Sequence, residues 1–397
     1  MPVAGEVAII GLGCSKFGEN FDKSYFDMMV EAGFEAFADA NVEPSDIQGA
    51  WLGTAFAFTY HVEGNAGTSV AEPLRLRDIP ITRVSNYCAT GMDAVRNAAN
   101  AVAAGECDVA LAIGVEKMRD VPPRGSLVAQ AYQFGHPLYA KGRTAPGNFA
   151  LLARRYAHMY NVDIKKYMAK VAVKNHYNGS MSPKAHFQRP ITEEAALKAP
   201  MIVDPIGLFD ACPTTDGCAA VILTKTSLAK QFTNEYVVIK GIGLSVSQGY
   251  FGAQFEPDWD FLGFRANQQA AIKAYKQAGI TNPRKQIDLA EVHDCFTVTE
   301  MIDYEDLFLC ERGQGWKLVE DGVTNLDGAF PVNTSGGLKS YGHPIGASGI
   351  RMIVNISEQL LGRAGKRQLK NPKVGLAHNL GGPGAVGIVT VVGLPGA

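Results

Sequence analysis

The fold of this chain is decided by the stretch Val84-Ser85-Asn86-Tyr87-Cys88-Ala89-Thr90-Gly91-Met92. Residues 79–82 before it favour a β-strand, and residues 93–104 after it favour an α-helix. Cys88 therefore lies at a strand-to-helix turn, where unpaired backbone N–H groups and the helix dipole favour a thiolate and lower the pKa of a cysteine. This placement predicts a nucleophile. The alternative is a small core residue, as lone cysteines often are.

The second half of the chain repeats this arrangement. Cys88-Ala89-Thr90-Gly91 has a counterpart in Gly346-Ala347-Ser348-Gly349, which also precedes a predicted helix. The helix and strand predicted for residues 25–40 and 47–52 are matched by a helix and a strand at 266–278 and 287–292. Alternating strands and helices indicate an α/β fold. The repetition predicts two similar halves packed face to face, with equivalent loops close together at one edge.

The pattern also predicts how the chain divides. Residues 1–119 together with 209–262 are expected to form the first half, and residues 263–397 the second half. Residues 120–208 carry prolines, turns and two amphipathic helical patterns at 146–160 and 163–175. We interpret them as an inserted, mostly helical loop domain, because long insertions often form lids or binding surfaces.

Composition excludes several classes of protein. Of the 397 residues, 47% are apolar and the net charge is −2, which gives no indication of nucleic-acid binding. No apolar run approaches the roughly 18 residues of a membrane span, and no signal-peptide pattern is visible. The seven cysteines form no Cys-x-x-Cys pair, which argues against a disulfide framework and against a metal site. We therefore expect a cytoplasmic protein with reduced thiols.

Three loops of the second half carry reactive side chains. Residues 291–296 contain His293 and Cys295, residues 333–349 contain His343, and residues 378–384 begin with His378. Under the duplication these loops lie at the same sheet edge as Cys88. A thiol, an imidazole and a second thiol at one edge can act as nucleophile, base and acid/base.

Each of these features also has a purely structural interpretation. Taken alone, His343 is equally consistent with a structural histidine at a glycine-rich turn. For His293 and Cys295 in isolation, core side chains at a strand end are the more common case. The run Gly11-Leu12-Gly13-Cys14 superficially resembles a dinucleotide-binding loop. Its third glycine comes one residue too late and no helix begins there, so a dinucleotide site is disfavoured.

The combination of motifs resembles the thiolase superfamily. The resemblance rests on Asn86-Tyr87-Cys88-Ala89-Thr90-Gly91, on the glycine-rich run 336–349 and on His293-Asp294-Cys295-Phe296. The last motif is similar to the sterol-carrier-protein-type and archaeal or bacterial branch, in which it replaces the Asn-Glu-Ala-Phe of ordinary thiolases. The resemblance covers nearly the whole chain and implies a duplicated, five-layered αβαβα fold with an inserted loop domain.

The resemblance also implies an activity, namely coenzyme A-dependent acyl transfer that cleaves or forms a 3-oxoacyl-CoA. Cys88 would be the nucleophile and His343 its base. Ordinary thiolases carry a second catalytic cysteine at the position of His378, so here Cys295 is expected to take over the acid/base role. The role of His378 itself stays uncertain. His293 would join His343 in stabilising the enolate.

The expected ligand contacts follow from the same resemblance. Backbone N–H groups of Cys88 and of the Leu380–Gly381 turn would stabilise the tetrahedral oxyanion. Coenzyme A is expected as a co-substrate, with no covalently bound cofactor and no metal. Candidates for contact with its phosphates are Lys141, Arg143 and Lys184, although for each of them solvated surface charge is the more common explanation.

The resemblance is less specific about partners and substrate. Relatives in this branch form dimers, and some act with a small OB-fold, zinc-ribbon protein. Their substrates range from acetoacetyl-CoA to a bulky aromatic such as benzoylsuccinyl-CoA. The alternatives are another condensing enzyme of the same fold and a non-catalytic acyl-CoA-binding or scaffolding subunit. The presence of Cys88, His343 and Cys295 together favours a catalytic subunit.

Overall fold

The structure is a computed structural model that describes residues 3–56, 67–121, 144–247 and 259–397. The strands in these residues are β1 (Val7–Cys14), β2 (Gly49–Gly53), β3 (Ile81–Val84), β4 (Val109–Glu116), β5 (Met201–Val203), β6 (Ile206–Gly207), β7 (Gly217–Lys225), β8 (Val237–Val246), β9 (Leu289–Glu291), β10 (Val374–Gly381) and β11 (Val386–Gly393). The helices are α1 (Tyr25–Ala40), α2 (Thr68–Leu74), α3 (Thr90–Ala104), α4 (Ala145–Tyr160), α5 (Ile164–Ser180), α6 (Glu193–Lys198), α7 (Arg265–Ala278), α8 (Pro283–Gln286), α9 (Thr297–Asp306), α10 (Gly315–Glu320), α11 (Gly337–Tyr341) and α12 (Ile345–Leu360).

One nine-stranded sheet runs through the molecule in the order β3-β2-β4-β7-β1-β8-β11-β10-β9. Its two halves meet between β1 and β8, where the pairing consists of Ala8 with Val238 and Ile9 with Val237. On either side of this junction the strands pair along most of their length. The sheet therefore consists of two sheets joined at one edge, and β8 pairs mainly with β11 of the second half although residues 209–262 were expected in the first.

Helices cover both sheets on both faces. Helix α1 packs on the outer face of the first sheet and α7 on the outer face of the second, while α3 and α12 fill the space between the sheets. Strands buried on both faces read as continuous apolar runs, and every residue of β4 and β11 is buried. The layers are helix, sheet, helix, sheet, helix. The expected αβαβα fold is confirmed.

The duplication extends to individual glycines. A Cβ at Gly13 of β1 would lie 1.9 Å from the backbone oxygen of Ala32 in α1, and one at Gly243 of β8 would lie 1.9 Å from that of Ala270 in α7. Each strand thus needs a glycine where an outer helix lies directly against it. This close packing, rather than a dinucleotide, explains the glycines near Cys14.

The two central helices also meet through glycines. Cβ atoms at Gly91 and Gly114 would lie 2.4 and 2.0 Å from the backbone oxygen of Gly346. The N-termini of α3 and α12 therefore touch, and these are the ends that carry the two parallel sequence motifs. The reactive loops of both halves are brought to one place by this contact.

The segment predicted as an insertion contains α4, α5, α6 and the two-stranded sheet of β5 and β6 in its described part, residues 120–121 and 144–208. Both amphipathic patterns are helices, and each continues one to five residues beyond its predicted bounds. The domain boundaries themselves stay a prediction. Within the described ranges, no helix combines the length and apolar character needed to cross a bilayer.

Candidate active site

Cys88 lies in a tight loop between β3 and α3. Tyr87 adopts the left-handed conformation with φ of 51°, and the Thr90 hydroxyl accepts a hydrogen bond from the Asn86 amide at 2.7 Å while donating to the Tyr87 carbonyl at 2.5 Å. These bonds hold the loop in one shape, because a left-handed residue persists only where its surroundings stabilise it. The thiol of Cys88 is half-buried and free.

The environment of this thiol contradicts one expectation. The backbone N–H groups of Gly382 and of Cys88 itself face the sulfur and favour a thiolate, but burial outweighs them, and nearby Glu116 adds to the effect. Together they raise the pKa of Cys88 to about 11. The sequence argument from the helix N-terminus predicted a lowered pKa and is wrong in direction, since desolvation disfavours the charged form. Cys88 is a neutral thiol at pH 7 and needs a base.

Two histidines supply the candidates for that base. The Cys88 sulfur, a nitrogen of His293 and a nitrogen of His343 all lie within 4.8 Å of one another. The two imidazole rings stand edge to face, with centroids 5.1 Å apart. His293 follows β9 and His343 lies between α11 and α12, so the second half of the chain delivers both to the Cys88 loop of the first half. Within the described ranges, these three side chains are also the group spaced closely enough to hold a metal ion. A bound ion would be ligated by the Cys88 sulfur, which would then not be free to act as a nucleophile.

The hydrogen bonds of His343 determine its tautomer. The Ser348 hydroxyl donates its proton to the Pro344 carbonyl at 2.9 Å, and it lies 2.7 Å from Nδ1 of His343. A hydroxyl has one proton, so Ser348 accepts from His343, and Nδ1 carries the hydrogen. The other nitrogen, Nε2, is then an unprotonated acceptor. It is buried and has no hydrogen-bond partner within the described residues.

His293 takes the opposite tautomer. The Nδ2 amide group of Asn379 lies 3.0 Å from Nδ1 of His293. An amide nitrogen only donates, so Nδ1 of His293 accepts and the hydrogen sits on Nε2. One imidazole of the pair is therefore arranged as a proton acceptor and the other as a hydrogen-bond donor.

Both imidazoles are neutral at pH 7. Burial and the Arg351 guanidinium lower the pKa of His343 to about 3, and burial together with the neighbouring His343 imidazole, which would have to share the site with a second positive charge, holds the pKa of His293 well below its usual value. Arg351 is fully buried and paired with Glu291 at 2.8 Å. A neutral imidazole beside a neutral thiol can take its proton when the sulfur attacks.

Cys295 lies next to this group at the start of α9. Its sulfur is buried, 4.0 Å from the Thr299 hydroxyl, and is not among the three groups that lie within 4.8 Å of one another. Burial and the neighbouring thiols of Cys212 and Cys88 raise its pKa well above the usual value. Cys295 is thus a neutral thiol that interacts electrostatically with the Cys88 thiol.

Cys212 is a neighbour that the sequence did not reveal. Its backbone N–H donates to the Cys295 carbonyl at 2.9 Å, and Ala211 forms an antiparallel bridge with Phe296. Cys212 and Cys295 therefore stand opposite each other on adjacent chain segments. Cys212 was interpreted as structural because nothing near it in sequence resembles a partner.

His378 is buried behind His293. Its Nδ1 lies 3.3 Å from Oδ2 of Asp303 on α9, and neither atom has a hydrogen bond to another described residue. Burial lowers the pKa of His378 to about 3, so the contact is not an ion pair at pH 7. His378 is thus a buried, neutral imidazole beside Asp303 that acts electrostatically on His293.

The oxyanion donors expected at Cys88 and at the Leu380–Gly381 turn stay a prediction. Leu380 and Gly381 pair with Gly387 and Val386 in the β10–β11 ladder. The backbone N–H that faces the Cys88 sulfur belongs to Gly382, the first residue beyond β10. The Gly382 N–H is therefore a further candidate donor next to the expected turn.

Glu116 joins the two halves at the site. Its buried carboxylate accepts hydrogen bonds from Thr54, from the amides of Ala55 and Phe56, and from the Gly346 amide at the start of α12, all between 2.9 and 3.0 Å. Burial raises its pKa despite these donors. Glu116 holds the loops around Cys88 and His343 together, and no motif in the sequence indicated it.

Of the three residues predicted to contact coenzyme A, the structure describes one. Lys141 and Arg143 lie outside the described residues. Lys184 forms an ion pair with Glu35 of α1 at 2.5 Å, so its ammonium already has a counter-charge. A phosphate contact at Lys184 stays a prediction, and it requires exchange of that partner.

We expect the Ser348→Ala variant to lose about 10- to 100-fold in kcat/KM for acyl transfer, because nothing then holds the hydrogen on Nδ1 of His343. Ser348→Thr keeps the hydroxyl and should restore most of the rate. Ser357→Ala is the matched control, since Ser357 is buried on the same helix and has no bond to His343. Equal rates for Ser348→Ala and Ser357→Ala would contradict this role.

Two family models match the chain. The thiolase N-terminal domain matches residues 7–227, and the thiolase C-terminal domain-like model matches residues 252–393. Acetyl-CoA acetyltransferase of Methanothermobacter thermautotrophicus is 38% identical over 97% of this chain and 99% of that protein. Sterol carrier protein 2 of Bos taurus is 32% identical over 100% of this chain and 74% of that protein.

Solved structures show the same fold. One described as the Ltp2-ChsH2(DUF35) aldolase has a TM-score of 0.84 at 26% identity and matches the full length of both chains. Human mitochondrial 3-ketoacyl-CoA thiolase has a TM-score of 0.72 at 18% identity, covering 99% of this chain and 100% of that one.

Proposed function

The chain belongs to the thiolase family and is a thiolase-type acyltransferase; on that premise we propose that it cleaves or forms a 3-oxoacyl-CoA through an acyl-Cys88 intermediate. The observation that carries the proposal is the cluster of Cys88, His343 and His293 within 4.8 Å, in which Nε2 of His343 is an acceptor without a partner. Free coenzyme A is the co-substrate in this proposal.

In the cleaving direction, the first step forms the carbon–sulfur bond. Nε2 of His343 takes the proton of the Cys88 thiol as the sulfur attacks the 3-keto carbon. The keto oxygen becomes a tetrahedral oxyanion beside the N–H groups of Cys88 and Gly382. Such donors act most strongly where charge develops, and losing one typically costs about 10²–10³ in rate.

The second step breaks the bond between C2 and C3. The oxyanion reforms a carbonyl, which is now the thioester of acyl-Cys88, and the bonding electron pair passes to C2 as the enolate of the departing acyl-CoA. The Nε2–H group of His293 and the protonated His343 are donors for the enolate oxygen. Cys295 gives its proton to C2 and becomes a thiolate, which suits a group able to act as acid and as base.

The third step restores the enzyme. Free coenzyme A gives its thiol proton to the Cys295 thiolate, attacks the acyl-Cys88 thioester and leaves as the shortened acyl-CoA. The Cys88 thiolate then recovers its proton from His343. The reverse sequence condenses two acyl-CoA molecules, with Cys295 removing the proton from C2.

We also propose a partner protein, a dimeric state and a cellular compartment for this protein. Similarity to a structure described with a DUF35 component supports a small partner protein, for which the OB-fold, zinc-ribbon type is our candidate. A dimer is expected from the family resemblance. All seven cysteines are free thiols, which agrees with a reducing compartment such as the cytoplasm.

A second candidate function is aldol cleavage without acyl transfer, because the same similar structure is described as an aldolase. The two reactions differ in their need for coenzyme A. Thiolytic cleavage requires free coenzyme A and passes through acyl-Cys88, whereas an aldolase releases a carbonyl compound with neither.

The test is product analysis after incubation with 3-oxoacyl-CoAs of increasing length, with and without free coenzyme A and with and without a co-encoded partner. We expect two acyl-CoA products that appear only when coenzyme A is present. Retro-aldol cleavage needs a hydroxyl at C3, so the matching 3-hydroxyacyl-CoAs are incubated in parallel, and release of a free aldehyde or ketone from them without coenzyme A would replace the proposal with the aldolase. Turnover of a complex that survives Cys88→Ala would indicate a scaffolding subunit.

A further inference from the structure

Lys339 is a buried lysine that the proposed reaction does not use. It belongs to α11, four residues before His343, and its side chain is 2% exposed. Its ammonium lies over two aromatic rings, 5.4 Å from the centroid of Phe187 and 5.8 Å from that of Phe209. Within the described residues it makes no hydrogen bond and no ion pair. An ammonium removed from water without an anionic partner is costly, and proteins rarely retain one without a reason.

The acidic groups nearest to Lys339 are committed elsewhere. Asp210 pairs with Lys165 and also accepts a hydrogen bond from the Thr297 hydroxyl at 3.3 Å. Asp294 accepts backbone hydrogen bonds from Leu338 and from Lys339 itself, at 2.5 and 3.1 Å. These carboxylates stabilise the fold around the lysine and leave its Nζ without a direct counter-ion.

Lys339 is also linked to the proposed reacting groups by a hydrogen bond and an electrostatic interaction. Asp294, which holds its backbone, stands between His293 and Cys295 in the chain. The backbone N–H of Cys212 donates to the Cys295 carbonyl at 2.9 Å, and its thiol interacts electrostatically with both Lys339 and Cys88. Cys212 is half-buried, and so are Phe187 and Phe209. The ammonium therefore lies near Cys212, a neighbour of the nucleophile, and beside two partly exposed aromatic rings.

The position of the cation identifies the part of the substrate that meets it. In an acyl-CoA the phosphates are at the far end of the pantetheine arm, remote from the thioester. A group beside the thiols of the site faces the acyl portion instead. The common anionic group of an acyl portion is a carboxylate, and a buried ammonium forms a strong, charge-assisted hydrogen bond with that group.

We propose that Lys339 is a specificity-determining residue that binds a carboxylate on the acyl chain, so that the preferred substrates are 3-oxoacyl-CoAs with a second carboxyl group. The faces of Phe187 and Phe209 hold the ammonium in place by cation–π contact and exclude water from it. This inference rests on the proposed thiolase function and narrows its substrate class.

The test compares thiolysis of 3-oxoacyl-CoAs that end in a methyl group with those of equal length that end in a carboxylate, for example 3-oxohexanoyl-CoA and 3-oxohexanedioyl-CoA, over a series of chain lengths. We expect the wild-type protein to show the higher kcat/KM with the carboxylate form at one or more lengths. In Lys339→Met the ratio of the two kcat/KM values should fall by about 10- to 150-fold, the range for losing a hydrogen bond to a charged group. Lys198→Met removes an exposed lysine and should leave the ratio unchanged.

The wild-type protein offers a second measurement that does not depend on folding of the variant. Burial lowers the pKa of Lys339 to about 8, so the ratio should decline as pH rises above 8, while effects common to both substrates cancel. The other titratable groups facing the ammonium are Asp294, with a pKa raised to about 7, Cys212, with a pKa raised to about 12, His176 and His186, both with a pKa lowered to about 4, and Asp210. A step centred near pH 7 would assign the effect to Asp294 and overturn the role of Lys339.

The possible results distinguish the role of Lys339 from the proposed thiolase activity on which it rests. Cleavage of the neutral substrates with no preference for carboxylates at any length would overturn the role of Lys339 and leave the thiolase activity intact. An equal loss for both substrates in Lys339→Met, with a raised KM for free coenzyme A, would make Lys339 a coenzyme A contact and also overturn it. Failure to cleave any 3-oxoacyl-CoA would refute the proposed function itself.

Discussion

Cys88→Ser is expected to lower kcat/KM for coenzyme A-dependent cleavage by about 10⁴-fold or more, because a hydroxyl is a far weaker nucleophile and the covalent intermediate no longer forms. The matched control is Cys310→Ser, which changes a thiol that is also half-buried but lies outside the cluster of Cys88, His293 and His343. Initial rates at several substrate concentrations give the comparison. A Cys88→Ser protein with more than a tenth of the wild-type value would contradict the nucleophile assignment.

Cys295→Ala is expected to show a divided phenotype, in which cleavage of the C2–C3 bond is lost and acyl exchange is kept. Cleavage of the C2–C3 bond should fall by about 10²–10⁴-fold, the usual contribution of a positioned acid/base. Transfer of an acyl group from a simple acyl-CoA to Cys88 and on to labelled coenzyme A needs no proton at carbon, so this exchange should continue at a rate near that of the wild type. The exchange assay and the cleavage assay on the same preparation measure the two effects.

Cys212→Ala decides which thiol transfers the proton. Cys212 stands opposite Cys295 and is the other thiol in electrostatic contact with Cys88. We expect less than about a tenfold loss of cleavage in this variant, the effect of altered packing rather than of a missing acid/base. If Cys212→Ala shows the divided phenotype and Cys295→Ala does not, the acid/base role moves to Cys212.

The architecture could be predicted from the sequence because the individual helices and strands and their repetition are visible in local residue patterns. The helix expected at residues 25–40 is α1 with the same bounds, and the repeated strand and helix order corresponds to two sheets with three helical layers. The motif around Cys88 and the glycine-rich run before α12 could be placed at one edge, since equivalent loops of duplicated halves meet there. The structure brings Cys88, His343 and His293 together at that edge.

What the sequence could not show depends on tertiary packing. The pKa of Cys88 is set by burial between the two halves, and local reasoning from the helix N-terminus predicted the opposite direction. The tautomers of His343 and His293 depend on Ser348 and Asn379, whose hydrogen bonds exist only in the folded chain. Glu116 lies far from every motif in sequence and acts through four donors from other segments.

Lys339 illustrates the same limit within a recognised motif. It stands in the glycine-rich run that carries the resemblance, yet a lysine in a turn ordinarily suggests a solvated surface charge. Only the structure shows that the side chain is buried, that both neighbouring carboxylates have other partners, and that aromatic rings enclose the ammonium.

The central claim is that Cys88 carries the acyl group. Mass spectrometry of the intact protein and its peptides, after brief incubation with a 3-oxoacyl-CoA in the absence of free coenzyme A, tests it most directly. We predict a mass increase equal to the acyl group, located on the peptide that contains Cys88 and removed when coenzyme A is added. Cleavage that proceeds with no adduct, or with an adduct on a different cysteine, would contradict the account.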